Sequence, residues 1–150
     1  MTELGTVPVD VGLEDAWGRP VRLASFRGRP LIVVYAGRLG SSAALELGRA
    51  VQMQFGSEGA APLVTIMPVV CLAEVPRFLR GLARGHVQRA AAGAPVLIDF
   101  NGSMQKALGM DEQHANVAVL DAAGHCVGQV SGRGQPCLDR VADLVGRLSP

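Results

Sequence analysis

The chain has 150 residues, of which 49% are hydrophobic, a length that allows one complete core but is short for two domains. Its 14 basic and 13 acidic residues leave a formal net charge of +1, which gives no field that would concentrate nucleic acid or an anionic membrane surface. We therefore predict a single domain over residues 1–150, with neither nucleic acid nor membrane among its partners.

The first half of the chain predicts a lead-in followed by a βαβ unit. Residues 1–30 contain an AWGRP turn between short apolar pairs and indicate a small hairpin or extension without its own core. Residues 31–35, LIVVY, form a continuous apolar run typical of a strand buried on both faces. A helix begins at Ser41 or Ser42, and a second buried strand over residues 62–70 should run parallel to the first. On this helix the apolar residues recur every four positions, at Leu47, Val51 and Phe55.

The second half predicts three helices and a hairpin. An amphipathic helix from Leu72 to about Arg84 should bury an apolar side at i, i+3, i+4 and i+7, made by Val75, Phe78, Leu79 and Leu82. A short strand in APVLIDFNG then leads to a short helix that Ser103 caps and Gly109 closes. Two strands flank the DAAGH turn, and a final helix follows. Its buried side is predicted from Leu138, Val141, Ala142, Val145 and Leu148.

Cysteine usage and the amino terminus bear on location and redox chemistry. Cys71, Cys126 and Cys137 form an odd set without C-x-x-C spacing, which is typical of neither a disulfide framework nor a zinc ribbon. We expect each to be a buried, unreactive thiol. The opening residues MTELGTVPVDVG lack the basic and apolar regions of a secretory signal, and no apolar run is long enough for a membrane span. These features predict a cytoplasmic protein.

The order of elements and three segments resemble the thioredoxin-like superfamily, in particular its redoxin branch of peroxide reductases and thiol-disulfide oxidoreductases. The segments are DAWGRPVRLASFRGRPLIVVY, PVLIDFNGSMQKALGM and NVAVLDAAGHCVGQVSG, and the resemblance covers residues 8–148. It implies an α/β, thioredoxin-like fold in which a central mixed β-sheet is sandwiched by helices.

The same resemblance implies that the redox motif is missing. Active members carry W-C-x-x-C where this chain has the loop GRLGSS, because a helix N-terminus favours the thiolate of the first cysteine. Aligned on that motif, Gly40 and Ala43 stand at the cysteine positions and Leu39 at the tryptophan position. The family's cis-proline falls near Ala115, where a residue other than proline should take a trans peptide. No disulfide can form in this loop.

The leading hypothesis is therefore a non-catalytic thioredoxin-like module without cofactor or metal, which binds an unknown protein or a second copy of itself. The predicted binding residues surround the vacated redox loop: Arg38, Leu39, Gly40, Ser41, Ser42, Ala43, His114 and Ala115. One alternative is a thiol-dependent oxidoreductase or peroxidase acting through Cys71, which should lie on the same rim as the loop. Another is an anion or peptide-end binder at the helix start, Gly40 to Ser42, with charge from Arg38.

Other polar residues indicate structural roles. Ser41 or Ser42 is better explained as a helix cap than as a nucleophile activated by His114 with Asp111 or Glu112. The DEQH run over residues 111–114 lacks a distant fourth ligand for a metal. Histidines 86 and 125 are predicted on surface loops, and a solvated basic helix face is predicted from Arg77, Arg80 and Arg84.

Overall fold

A computed structural model describes residues 10–36, 47–53, 64–91, 95–109, 115–132 and 135–148. Its strands are β1 (Gly12–Asp15), β2 (Pro20–Arg22), β3 (Leu31–Ala36), β4 (Thr65–Cys71), β5 (Leu97–Asp99), β6 (Ala115–Leu120) and β7 (Cys126–Ser131). Its helices are α1 (residues 47–53), α2 (Arg80–Ala91), α3 (Ser103–Leu108) and α4 (Gln135–Gly146), with 3₁₀ turns at Leu23–Phe26 and Arg77–Leu79. The strands form one mixed sheet in the order β2-β1-β5-β4-β3-β6-β7.

Strand β3 lies inside the sheet and is buried along its whole length. It pairs in parallel with β4 and antiparallel with β6, so all of its backbone polar groups face other strands. The continuous apolar run therefore predicted a strand buried on both faces correctly, and the parallel partner is confirmed. The second strand begins at Thr65, later than the predicted residue 62.

Helices cover both faces of the sheet, as the predicted sandwich requires. The odd-numbered side chains of β3 share a core cluster with Met104 and Leu108 of α3. The even-numbered ones share another cluster with Leu47 and Val51 of α1 and with Val141 of α4. This division follows from the alternation of side chains along a strand. The predicted α/β architecture is confirmed.

The predicted amino-terminal hairpin is present and belongs to the main sheet. Strand β1 pairs antiparallel with β2 and, on its other edge, with β5. The Asp15 carboxyl group accepts the backbone N–H groups of Trp17 at 2.9 Å and Arg19 at 3.0 Å, while Gly18 takes a positive φ of 87°. The AWGRP segment is thus a turn closed by an aspartate side chain, with glycine where the backbone is left-handed.

The amphipathic helix predicted from Leu72 to Arg84 is wrong in its bounds and in its buried face. Residues 72–76 are not helical, because Pro76 holds an extended backbone (φ −58°, ψ 149°) just before the 3₁₀ turn. The helix continues instead to Ala91. Phe78 is 84% exposed and Leu82 is 70% exposed, so the apolar side predicted to meet the core faces outward.

Arginine side chains occupy the side of α2 that meets the sheet, which corrects the predicted solvated basic face. The guanidinium carbons of Arg80 and Arg84 lie 4.7 Å and 5.1 Å from the centre of the Phe100 ring. Arg84 also forms an ion pair with Glu14 at 2.8 Å, whereas Arg77 is exposed as predicted. Val87 is the buried apolar residue of this helix. Charged stems can cover apolar surface when their head groups find partners.

The carboxy-terminal hairpin matches the prediction, and the final helix is present with a buried side that differs from the predicted one. Leu138, Val141 and Leu148 are buried as predicted, whereas Ala142 and Val145 are only partly buried. The Asp121 side chain accepts the N–H groups of Ala123 and His125 in the DAAGH turn, and Gly124 has a positive φ of 92°. Helix α4 buries one side against β6 and β7: Cys137, Leu138, Val141 and Leu144. Within the described ranges, no helix has the length and apolar character needed to cross a membrane.

Gly128 on β7 tests the packing of α4 against the sheet. A Cβ at this position would lie 2.5 Å from Cδ2 of Leu144, a side chain that is itself packed in the core. We expect Gly128→Ala to lower the free energy of unfolding by about 1–2 kcal/mol in urea titrations, because the core must be overpacked. Gly12→Ala on β1 is the matched control, since nothing lies within 4 Å of its Cβ position. Equal effects of both substitutions would contradict this account.

Candidate functional site

The carboxyl ends of β3, β4 and β5 bring three chemically active side chains to one edge of the sheet. Because these strands are parallel neighbours, their ends meet at the same rim. Tyr35 lies next to the end of β3, while Cys71 ends β4 and Asp99 ends β5, with Cys71 and Asp99 directly paired. Cys71 therefore lies on the rim where the sequence placed it, as the last residue of its strand.

These three side chains form a buried polar group. The Tyr35 hydroxyl donates to Oδ2 of Asp99 over 3.3 Å. Tyr35 is 0% exposed, Asp99 1% and Cys71 8%. Burial raises the pKa of Tyr35 far above its usual range, and the hydrogen-bonded Cys71 thiol and nearby Asp99 add to the shift. The phenol is thus a neutral hydrogen-bond donor over the whole physiological range of pH.

Asp99 holds the start of α3. Its Oδ1 accepts the backbone N–H of Ser103 at 3.0 Å, and its Oδ2 accepts the N–H of Met104 at 2.9 Å. The cap predicted for Ser103 is therefore wrong. The residue before the helix is Gly102, in a left-handed conformation with φ 68° and no side chain, so an acceptor from the preceding strand takes the free N–H groups. The predicted closure at Gly109 is confirmed, with φ 63° and an N–H that donates to the carbonyl of Gln105.

Within the described part of the chain, Cys71 lies beside the Tyr35 phenol. A reactive cysteine is usually activated by a nearby cation or by free N–H groups at a helix start, which favour the thiolate. Among the described residues, the Cys71 thiol lies against the Tyr35 phenol, which in turn donates to the Asp99 carboxyl group. Asp99 already accepts the N–H groups at the start of α3.

Sequence reasoning missed Tyr35 and Asp99 as members of this group. Tyr35 was assigned only to a buried strand, and Asp99 only to a short extended segment. The available signal was a lone aspartate inside an apolar run, three residues before a glycine that precedes a helix. An acidic side chain in such a run needs buried hydrogen-bond donors, and the first turn of a helix supplies them.

Most of the predicted loop site lies outside the described residues. This applies to Arg38, Leu39, Gly40, Ser41, Ser42, Ala43 and His114. Ala115 is the first residue of β6, pairs with Ala36 and is 1% exposed, so its backbone lies at the same rim as Tyr35 and Cys71. The trans peptide bond predicted before Ala115 involves His114, which is not among the described residues, so it stays a prediction.

The remaining thiols and metal-ligating side chains form no second centre within the described ranges. Cys126 and Cys137 are buried and free, and burial raises the pKa of each. No three side chains of His, Cys, Asp or Glu are grouped closely enough there to hold a metal ion. The DEQH run is not among the described residues. His125 lies 3.6 Å from Asp121 in a turn, while His86 is exposed on α2 rather than on a loop.

Comparison with known proteins finds similarity in structure only. No family model matches the chain, and no curated protein matches it. Among solved structures, the thioredoxin domain of a thiol-disulfide oxidoreductase from Bacteroides vulgatus superposes with TM-score 0.63 at 16% identity, covering 97% of this chain and 99% of that one. Yeast Sco1 with copper bound superposes with TM-score 0.65 at 13% identity, covering 100% of this chain and 97% of that one. The protein has a thioredoxin-like fold.

The thiol peroxidase from Chromobacterium violaceum is a third similar structure, with TM-score 0.62 and 17% identity over 97% of this chain and 87% of that one. The thioredoxin-like resemblance predicted from the sequence is therefore confirmed, and these neighbours include thiol-disulfide oxidoreductases and peroxidases of the kind the redoxin branch contains. At such low identity the likeness extends to the fold and not to the chemistry of individual residues.

The structural role of Asp99 in this thioredoxin-like fold is testable by substitution. Asp99→Ala leaves the buried N–H groups of Ser103 and Met104 without an acceptor, so we expect a loss of about 3 kcal/mol or more in the free energy of unfolding. Tyr35→Phe removes the hydrogen bond to Asp99 and the contact of the hydroxyl with the Cys71 thiol, and it should cost about 1–2 kcal/mol. Urea titration followed by circular dichroism measures both.

Asp121→Ala is the matched control for Asp99→Ala. Asp121 also accepts two backbone N–H groups, but it lies in an exposed turn where water can replace it, so we expect a loss of about 1 kcal/mol or less. If Asp99→Ala destabilised the protein no more than Asp121→Ala, the buried carboxyl group would not be holding α3 to the sheet.

Proposed function

We propose that this protein is a non-catalytic thioredoxin-like module whose role is to bind another protein or a second copy of itself. The observation that carries the proposal is the burial of all three thiols of the chain, Cys71, Cys126 and Cys137. Catalysis of thiol-disulfide exchange or peroxide reduction needs an accessible thiolate. A protein that has this fold without such a group retains its surfaces for recognition.

The sequence supports the same proposal at the loop after β3. Gly40 and Ala43 stand at the aligned cysteine positions, so the loop cannot form a disulfide under any redox conditions. A cytoplasmic location is part of the proposal, because three free thiols without a disulfide are typical of a reducing compartment. We propose no cofactor, and neither nucleic acid nor membrane as a partner.

A second candidate is a thiol peroxidase or oxidoreductase that acts through Cys71. Its position at the carboxyl end of a central parallel strand, beside the Tyr35 hydroxyl, favours it. The Cys71 thiolate would attack a peroxide oxygen, forming a sulfenic acid as the O–O bond breaks and the other oxygen leaves as water or an alcohol. One external thiol would then displace the sulfenic acid oxygen as water to form a mixed disulfide, and a second external thiol would release the Cys71 thiol and leave a disulfide between the two external thiols.

The third candidate, an anion or peptide-end binder at Gly40 to Ser42, stays a prediction because that loop is not among the described residues. Phosphate, simple carboxylates and short peptides would each raise the melting temperature if they bound the folded state alone.

Redox activity and thiol accessibility test the proposed function directly. We expect wild type and Cys71→Ser to be equally inactive in disulfide reduction and peroxide consumption. All three thiols should react slowly with Ellman's reagent in the folded protein and rapidly in denaturant, because burial excludes the reagent. A serine at position 71 keeps a hydroxyl beside Tyr35, so the variant should fold.

Cys126→Ser is the matched control for that assay, since Cys126 is buried in the same core cluster away from the rim. Activity that is present in wild type and in Cys126→Ser but absent in Cys71→Ser would contradict the proposal and establish the second candidate. The binding half of the proposal fails if the protein is monomeric by light scattering and native mass measurement of the tagged chain from its own lysate finds no partner.

The two thiols with raised pKa values predict a specific dependence of stability on pH. Free cysteine titrates at about 8.5, so above that pH the unfolded chain releases thiol protons that folded Cys126 and Cys137 retain. The folded state then binds more protons, and the free energy of unfolding falls as pH rises, by up to about 1.4 kcal/mol per pH unit for each thiol. The contribution of these two thiols to the free energy of unfolding is fully present below pH of about 8.5 and is lost progressively as the pH rises above that value.

Urea midpoints between pH of about 7.5 and 9.5, below the range where ordinary tyrosines titrate, measure this effect. The double variant Cys126→Ala with Cys137→Ala should be less stable throughout but should lose less stability with rising pH. The same slope in wild type and in this variant would contradict the role of the buried thiols.

A further inference from the structure

The turn before α2 and the first turn of α2 carry an apolar surface on their outer side, which we call the outer stripe: Val75, Phe78, Leu79 and Leu82. Phe78 and Leu82 are the two most exposed residues of this stripe, and Leu79 is also exposed. Single exposed apolar side chains are ordinary, but a contiguous set of this kind marks an interaction surface.

Three residues of the outer stripe, Val75, Leu79 and Leu82, also line a groove. It has a volume of about 460 Å³, comparable to a small binding cleft. Its walls are made by Leu72, Val75, Leu79, Leu82, Ala83, His86, Val87 and Arg89. This lining is mostly apolar, and the groove is shallow and open to solvent, so apolar side chains of a partner can reach it.

Contacts on the opposite side of α2 hold the outer stripe in place. Arg84 forms a hydrogen bond and ion pair with Glu14, and Gln88 donates to the carbonyl of Ala16 at 2.7 Å. Arg80 and Arg84 also stack over Phe100. Turning the helix to bury the outer stripe would break all of these contacts. The orientation is therefore a property of the fold, and the apolar surface remains available.

Charge around the groove identifies the kind of partner. From Val75 to Ile98 the chain has four arginines and no acidic residue, while the exposed Glu74 lies just before this stretch. Arg80 and Arg84 meet the sheet, so Arg77 and Arg89 are the two that remain for a partner. Arg77 is exposed between Val75 and Phe78 of the outer stripe, and Arg89 is exposed beyond Leu82, where it lines the groove. A second copy packed by symmetry on this stripe would bring arginines against arginines, which opposes self-association. A partner with carboxylates beside its apolar side chains would be attracted instead.

We propose that the outer stripe and its groove bind an acidic amphipathic helix of another protein. Apolar side chains of that helix, spaced at i, i+4 and i+7, enter the groove, and its flanking Glu or Asp side chains pair with Arg77 and Arg89. This inference rests on the proposed binding function and names the surface and the partner class for it. An anionic lipid surface is disfavoured, because it would contact protruding side chains and leave the concave groove unfilled.

Titration of the isotope-labelled full chain with a synthetic peptide tests the proposal. The probe is a peptide of about 18 residues, long enough to form a helix, with leucines at i, i+4 and i+7 among glutamates and alanines. We expect backbone amide shifts confined to residues 72–89. The double variant Phe78→Ser with Leu82→Ser should bind about tenfold more weakly, and Arg77→Glu with Arg89→Glu should also weaken binding and reduce its salt dependence.

Met53→Ser is the matched control, because Met53 is equally exposed but lies on α1, away from the outer stripe. It should bind the probe as wild type does, and a peptide with the same composition but scrambled leucines should not bind. The proposal is overturned if the probe does not bind, if shifts lie elsewhere, or if the scrambled peptide binds equally. It is also overturned if vesicles with anionic lipid bind where the peptide does not, or if Phe78→Ser abolishes a dimer.

The two proposals fail in distinguishable ways. Redox activity that depends on Cys71 would overturn the non-catalytic function whatever the peptide does. If the peptide does not bind, while the protein shows no redox activity and its thiols are unreactive, the assignment of the outer stripe is overturned. The binding function would then belong to another surface.

Discussion

Burial of β3 on both faces is the constraint on which the rest of the structure depends. Every side chain of this strand is excluded from water, so helices must cover the sheet above and below. Its parallel neighbour β4 requires a crossover connection, whereas its antiparallel neighbour β6 continues into a hairpin. The parallel strands therefore end together, and the side chains at their carboxyl ends meet at one rim.

Among the described residues, a buried hydrogen-bonded group of Tyr35, Cys71 and Asp99 meets at that rim. The carboxyl group of Asp99 connects three elements, since it accepts from Tyr35 on β3 and from two N–H groups of α3 while belonging to β5. A buried carboxyl group is costly unless donors surround it, and here the donors are supplied by the backbone and a phenol.

The orientation of α2 illustrates how a few long-range polar contacts can override an apolar pattern. Burying the outer stripe would gain hydrophobic free energy, but the side of α2 that meets β1 and β5 is held by Glu14, the carbonyl of Ala16 and the ring of Phe100. An unpaired arginine or glutamate left in that interface would cost several kcal/mol. The exposed apolar surface is the consequence.

The sequence by itself determined the strands, the turns and the fold class. The run of residues 31–35 predicted β3, the AWGRP and DAAGH segments predicted both hairpins, and Gly109 predicted the end of α3, because each depends on local apolar patterning or backbone preference. The tertiary structure decided the cap of α3 and the facing of α2. Asp99 reaches the helix only after β5 is in the sheet, and Arg84 meets Glu14, which lies 70 positions earlier in the chain. Periodicity identifies the sides of a helix, but which side meets the core depends on partners that are distant in the chain.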